Sequence, residues 1–326
     1  MHPAFSVIFL TVLAGLGQGL FLAMTTAEIY DFFELLPVDP APVLYIVGSA
    51  LAFLLLIGGL IASFFHLGRP ERAWRAAAMW RTSWLSREVI IMPAVIGLVF
   101  IYGAIHYLDW NPVFLIREGA PPVRLSLLVG VVGTVFSFGL FVCTAMIYAC
   151  LKFLQEWHSP LTVLNYILLG GASGFVLATA LAAYFDPALT YFYGGWAIVL
   201  TVIAFVTRGA SLIRNARLRP KSTPQTAIGV HHDRIVQRSM GALGGTFNTR
   251  EFFHGAGAKL MKLLRPIFLT AVFVVPVILT AAGIFFYSLP ILVAAVAVQV
   301  LGLLVERWYF FAEANHPQNI YYRTLG

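Results

Sequence analysis

The residues best suited to chemistry crowd one short stretch. His66, Gly68, Arg69, Pro70, Arg72, Trp74 and Arg75 follow one long apolar run, and Ser83, Trp84, Ser86, Arg87 and Glu88 lead into the next. Ionisable groups beside hydrocarbon are costly, so such a cluster points to function or docking. A histidine at that edge can donate a hydrogen bond to a carbonyl, and it changes charge near neutral pH. Both properties suit the oxygen of a quinone, which gains or loses a proton with each electron; interfacial water would equally satisfy the ring. Glu88 either caps the helix that follows, where the dipole favours a carboxylate, or exchanges protons between a quinone headgroup and water. Gln18 lies deep in the first apolar run, among Gly15, Gly17 and Gly19. Its amide needs a partner there, and a hydrogen bond to a second helix or a quinone oxygen would serve. Glu306 and Arg307, near the end of the last run, are expected to pair locally at the interface without a catalytic part.

Other redox and metal chemistry finds few ligands. The two cysteines, Cys143 and Cys150, share one apolar run; seven helical residues rise about 10.5 Å, too far for a disulfide without unwinding. An iron–sulfur cluster usually takes four thiolates, so no cluster is expected in this chain. A b-type haem usually needs histidines within the bundle. His2, His66, His106, His158, His231, His232, His254 and His316 fall mostly at run ends or in loops, so no haem is expected either. His231 and His232 lack a carboxylate or thiol ligand set, and no metal site is predicted.

These residues are positioned by lipid-soluble helices. Of 326 residues, 60% are hydrophobic and 11% charged, against about 25% charged in soluble domains. The fold class expected is an all-α polytopic membrane protein, one transmembrane domain over 1–326. A span needs about 20 apolar residues, and eight stretches qualify: 5–27, 43–65, 88–108, 124–151, 161–183, 188–208, 267–287 and 290–312. The first has no basic leader and is read as a retained helix. The fourth is long enough to tilt or project. Asp186-Pro187 and Ser288-Leu289-Pro290 mark tight turns, and Pro93 and Pro276 are expected to kink or cap their helices. The glycines of the first run, with Gly170, Gly171, Ser173 and Gly174 of the fifth, read as close packing between helices. The tryptophans Trp74, Trp80, Trp84, Trp110, Trp157, Trp196 and Trp308 read mostly as interfacial anchors. The first loop carries Glu28, Asp31, Glu34 and Asp39; the second and sixth are strongly basic. With eight spans, both basic loops and both termini share one side, which the positive-inside rule assigns to the cytoplasm of a bacterial inner membrane.

The spacing His66-Leu-Gly68-x-Pro70-x-Arg72-Ala, followed by Ser83-x-Leu-Ser86-x-Glu88, resembles the membrane-anchor subunit of dimethyl-sulfoxide-reductase-type molybdoenzyme complexes. Within that family, Arg69-Pro-Glu-Arg-Ala-Trp, Phe247-Asn-Thr-Arg-Glu-Phe-Phe-His254-Gly and Glu306-Arg-Trp-x-Phe-Phe-Ala-Glu are most similar to the anchor of cytoplasmic sulfite-oxidising (sulfite dehydrogenase) complexes. The resemblance implies three subunits: a molybdopterin subunit for substrate chemistry, a four-cluster ferredoxin-like iron–sulfur subunit for electron transfer, and an anchor exchanging electrons with ubiquinone or menaquinone. It implies that His66, Arg72 and Glu88 shape the quinone site and that Gly68 supplies the turn placing them.

On this basis quinone is expected between the first three helices, with His66 on a headgroup oxygen, Arg72 steadying charge, Glu88 moving protons and Gln18 nearby. The segment 209–265 joins positive charge to Phe247, Phe252 and Phe253, which suits protein docking or anionic lipid. Arg69, Arg75, Arg250, Phe252 and Phe253 are the expected docking residues, and the formal charge of +7 is assigned to lipids and protein partners, not nucleic acid. Two rivals stand beside this reading. A secondary transporter would place its polar residues nearer the midplane. An anchor without redox function would differ only at His66, Arg72 and Glu88.

Overall fold

The computed structural model describes residues 4–36, 38–116, 121–219, 224–232 and 258–314. Helices dominate it because apolar runs exceeding 20 residues can satisfy their backbone groups in lipid only internally. The order is α1 (Phe5–Phe32), α2 (Pro42–Phe64), a 3₁₀ segment (Pro70–Met79), α3 (Trp84–Tyr107), β1 (Val113–Leu115), β2 (Val123–Arg124) and α4 (Leu125–Ala149). There follow α5 (Pro160–Phe185), α6 (Thr190–Ala216), a short α7 (Pro224–Ile228), α8 (Ala258–Leu269), a π turn (Thr270–Val274), α9 (Val275–Phe285) and α10 (Leu289–Glu313). Eight spans among the described residues are long and apolar enough to cross a membrane, the seventh running through α8, the π turn and α9.

Start signals match local chemistry. Pro42 and Pro160 sit in the first turns of α2 and α5, where a missing N–H costs nothing. Ser159 caps α5 by accepting from the Leu161 N–H at 3.2 Å. Pro276 is the second residue of α9, just past the π turn; the wider turn accommodates a ring that would otherwise strike the preceding turn's carbonyl. The first span runs to Phe32 and the sixth to Ala216, further than hydropathy alone suggests, because both carry polar residues on buried faces. A two-stranded antiparallel ladder, β1 on β2, occurs in the third loop, where the sequence suggested no strand.

The helices α1 and α5 form the buried centre of the bundle. They cross at glycines: a Cβ on Gly174 would lie 1.9 Å from the Gly19 carbonyl carbon, and one on Gly19 1.9 Å from the Gly170 oxygen. The small-residue stripe is therefore packing, as expected.

Alternating spans place His66, Glu88 and the ends of α4, α6 and α10 together, at the motif end of the bundle. The far end holds a second polar group. There Ser126 donates to the Glu28 carboxylate, Asn111 bonds Ser126 at 2.8 Å, Tyr45 stacks on His106 at 4.6 Å, and Asp186 accepts from the Ala41 N–H. Between the ends, Leu20 and Phe21 of α1, Val95 and Val99 of α3 and Phe175 of α5 make a buried apolar layer. Trp157 departs from the interfacial expectation: it is buried, and its indole N–H donates to the Phe310 carbonyl at 2.9 Å.

Candidate functional site

The start of α3 decides what Glu88 does. Ser83 is its cap, accepting from the Ser86 N–H at 3.3 Å, so the dipole alternative for Glu88 gives way. Glu88 lies one turn further in, 8% exposed, and its Oε1 accepts from the Thr144 hydroxyl of α4 at 2.5 Å. Its neighbour Arg87 turns outward. The Arg87 guanidinium donates to the Trp80 and Arg81 carbonyls at 2.9 and 2.7 Å and lies over the Trp84 ring. It thereby ties the end of the 3₁₀ segment to α3.

Gln18 faces the same space as Glu88. Its amide nitrogen donates to the Ala14 carbonyl of its own helix at 3.0 Å, not to a second helix as the sequence suggested. Its Oε1 is buried with no hydrogen-bond partner. The two side chains wall a cavity of about 30 Å³ with Met92, Thr144, Tyr166 and Arg307. That volume holds a water molecule or two and is far too small for an aromatic ring.

Glu306 carries more than its place near the end of an apolar run suggests. It is fully buried, not interfacial, and it joins two arginines. Arg208 Nε lies 2.7 Å from one carboxylate oxygen, and Arg307 Nε donates to the other at 2.6 Å. Arg307 also lies over the Tyr166 ring, 4.3 Å from its centre. Arg208 escapes a reading by hydropathy, which ends the sixth span at that residue. The available signal is an arginine followed by Leu212 and Ile213, apolar residues that carry the helix two turns on to Ala216.

The first motif sits elsewhere. His66, Gly68, Arg69, Arg72 and Arg75 lie on the exposed segment beyond α2, and none lines the Glu88 cavity. Removal of water by the surrounding chain lowers the His66 pKa from its ordinary value, which favours the neutral ring. Arg72 faces Glu71 at 3.9 Å in an exposed pair, a weak contact, and Arg75 lies over Trp74. Gly68 is not in the left-handed region, and a Cβ there would meet nothing within 4 Å, so this turn does not require glycine. A groove of about 380 Å³ between α1 and α2 is walled by Phe9, Leu13, Gly58, Ile61 and Phe65, the residue before His66. Phe9 and Gln18 are about two and a half turns apart, so the groove and the Glu88 cavity lie on opposite sides of α1. The structure thus unites Gln18 with Glu88 and places both apart from the His66 segment. Arg250, Phe252 and Phe253, like Phe247 and His254, lie outside the described residues.

Residues 1–312 match the family model described as DMSO reductase anchor subunit (DmsC). The chain is also 58% identical, over 326 residues and the full length of both proteins, to a sulfite dehydrogenase subunit of Allochromatium vinosum. With eight membrane-length helices and a family match over residues 1–312, this chain belongs to the DMSO reductase anchor subunit family.

Proposed function

We propose that this chain is the quinone-interacting anchor of a three-subunit molybdopterin oxidoreductase, passing electrons from a docked iron–sulfur subunit to the quinone pool, with sulfite as the donor. The observation that carries the quinone assignment is a carboxyl group buried one turn inside the motif end, facing an amide oxygen that has no partner. Likeness along the whole chain to a subunit of a sulfite dehydrogenase supports sulfite over a sulfoxide as the partner's substrate.

The residues that would serve a quinone fall in two places with separate tasks. The α1–α2 groove has apolar walls that suit a quinone's tail, and His66 follows Phe65, one of those walls, in sequence. A bound quinone supplies a carrier that takes up two electrons and two protons. His66 would offer a ring N–H to a quinone oxygen. Arg72 lends positive charge to the same exposed segment. Glu88 holds an exchangeable proton on the carboxylate oxygen that Thr144 does not occupy, and Gln18 accepts from water in the cavity. Basic residues, including Arg69, Arg72, Arg75, Arg214 and Arg217, cluster at the motif end. By the positive-inside rule this end faces the cytoplasm of a bacterial inner membrane, and Arg69, Arg75, Arg250, Phe252 and Phe253 meet the iron–sulfur subunit there. Ubiquinone and menaquinone both suit the apolar groove.

The test uses the intact complex carrying His66→Ala or Glu88→Gln. Each variant should assemble and oxidise sulfite with an artificial dye at the normal rate, while sulfite-to-quinone turnover falls at least about tenfold, the scale of losing one proton-transfer group. Undiminished quinone turnover in both variants would remove the site from the mechanism.

A further inference from the structure

Behind the Glu88 cavity lies a second polar cavity of about 10 Å³. Tyr166 and Arg307 belong to the walls of both. The inner part of the second cavity is bounded by Asn165, Ser211, Arg208 and Glu306, and its outer part by Glu156, Arg214 and Asn215, which are half-buried at the motif end. Buried polar atoms without hydrogen-bond partners recur along this line: Gln18 Oε1, Asn165 Oδ1 and Arg208 Nη2. Such atoms deep in a protein are normally met by internal water. Each cavity has room for about one such molecule or more.

We propose that the two cavities form one proton path from water at the motif end, past Glu156 and Asn215, to Glu88, and that the Tyr166 hydroxyl is its joint. The inference rests on Glu88 being the acid that exchanges protons with quinone. When Glu88 gives up a proton, the Tyr166 hydroxyl donates through water in the Glu88 cavity and takes a proton from the second cavity. One proton leaves bulk water for each proton Glu88 releases, and quinol oxidation would run the same transfers backwards. The two guanidinium groups would repel a diffusing hydronium ion. Glu306 offsets one of those charges, and a relay through a hydroxyl needs no cation to pass. Arg307 is fixed by Glu306 and lies over the Tyr166 ring; the hydroxyl accepts from that guanidinium and keeps its own hydrogen and a second lone pair for the relay.

No residue of the path walls the α1–α2 groove, so the path can be altered without changing the groove. In the intact complex, Tyr166→Phe keeps the ring under Arg307 and removes only the hydroxyl. The expected result is normal assembly and normal dye-linked sulfite oxidation. Quinone-linked turnover should fall about tenfold, with a larger solvent deuterium isotope effect and partial rescue by millimolar formate as a small proton carrier. Asn165→Leu, which fills the second cavity without touching Glu88, should give the same loss and the same isotope effect. If quinone turnover and isotope effect are unchanged in either variant, the path is overturned. Loss in Glu88→Gln with no effect of these two changes would sink the path alone; no effect of Glu88→Gln would sink the reading of Glu88 itself.

Discussion

Glu306 is the residue on which the most charge converges. It sits between Arg208 and Arg307 with none of its surface exposed. A buried ion pair is often no more stable than apolar packing of the same volume, yet removing one member strands the other charge at about 3–5 kcal/mol. Glu306→Gln should therefore lower the melting temperature of the detergent-solubilised chain sharply. Arg208→Leu combined with Glu306→Leu should cost less than the two single changes added together. A strictly additive pair in a double-mutant cycle would show that the two residues are not energetically coupled. This cluster is only half legible in the sequence. Glu306 and Arg307 are visible as charges near the end of an apolar run. Their third member lies about a hundred residues away on α6, and no local pattern announces that pairing. Glu88 is legible as a candidate because few carboxylates occur so near an apolar run, but Ser83 has to be seen as the cap before its inward direction is plain.

At the level of helices, the crossing of α1 and α5 is the contact that tolerates least change. A methyl group on Gly174 would enter the Gly19 backbone, and backbone cannot swing aside as a side chain can. Gly174→Ala should separate the two central helices, abolishing detergent-stable protein as judged by size-exclusion chromatography. Gly97→Ala is the control: a Cβ there meets nothing within 4 Å, and removing glycine from a helix interior should add about 0.5–1 kcal/mol of stability. The eight spans and the glycine stripe are readable from sequence because hydropathy and small-residue spacing are local signals. The π turn before Pro276 and the β1–β2 ladder are not, since each depends on how neighbouring helices and loop ends settle. The motif misleads in one respect: residues close in sequence, His66 to Glu88, are expected around one ring. The 3₁₀ segment instead holds the first group outside while α3 carries Glu88 in.

Across the described residues, charged side chains gather at both ends, and Leu20, Phe21, Val95, Val99 and Phe175 lie between them. On the proposed path, electrons and protons both enter at the motif end, so no charge has to traverse that apolar layer during turnover. Moving one elementary charge through a full membrane costs about 2.3 kcal/mol per 100 mV, and a route from the far end would carry that burden for every proton. In liposomes holding the intact complex, a potassium diffusion potential of either sign should leave the quinone-linked rate unchanged. A rate that tracks the imposed voltage would mean that protons come from the opposite side. On the proposed function the hydrophobic partition has a bioenergetic consequence: the chain would act as a voltage-blind feeder. The free energy released in oxidising the donor would be banked as reduced carrier in the bilayer, leaving a different membrane machine to turn it into a gradient.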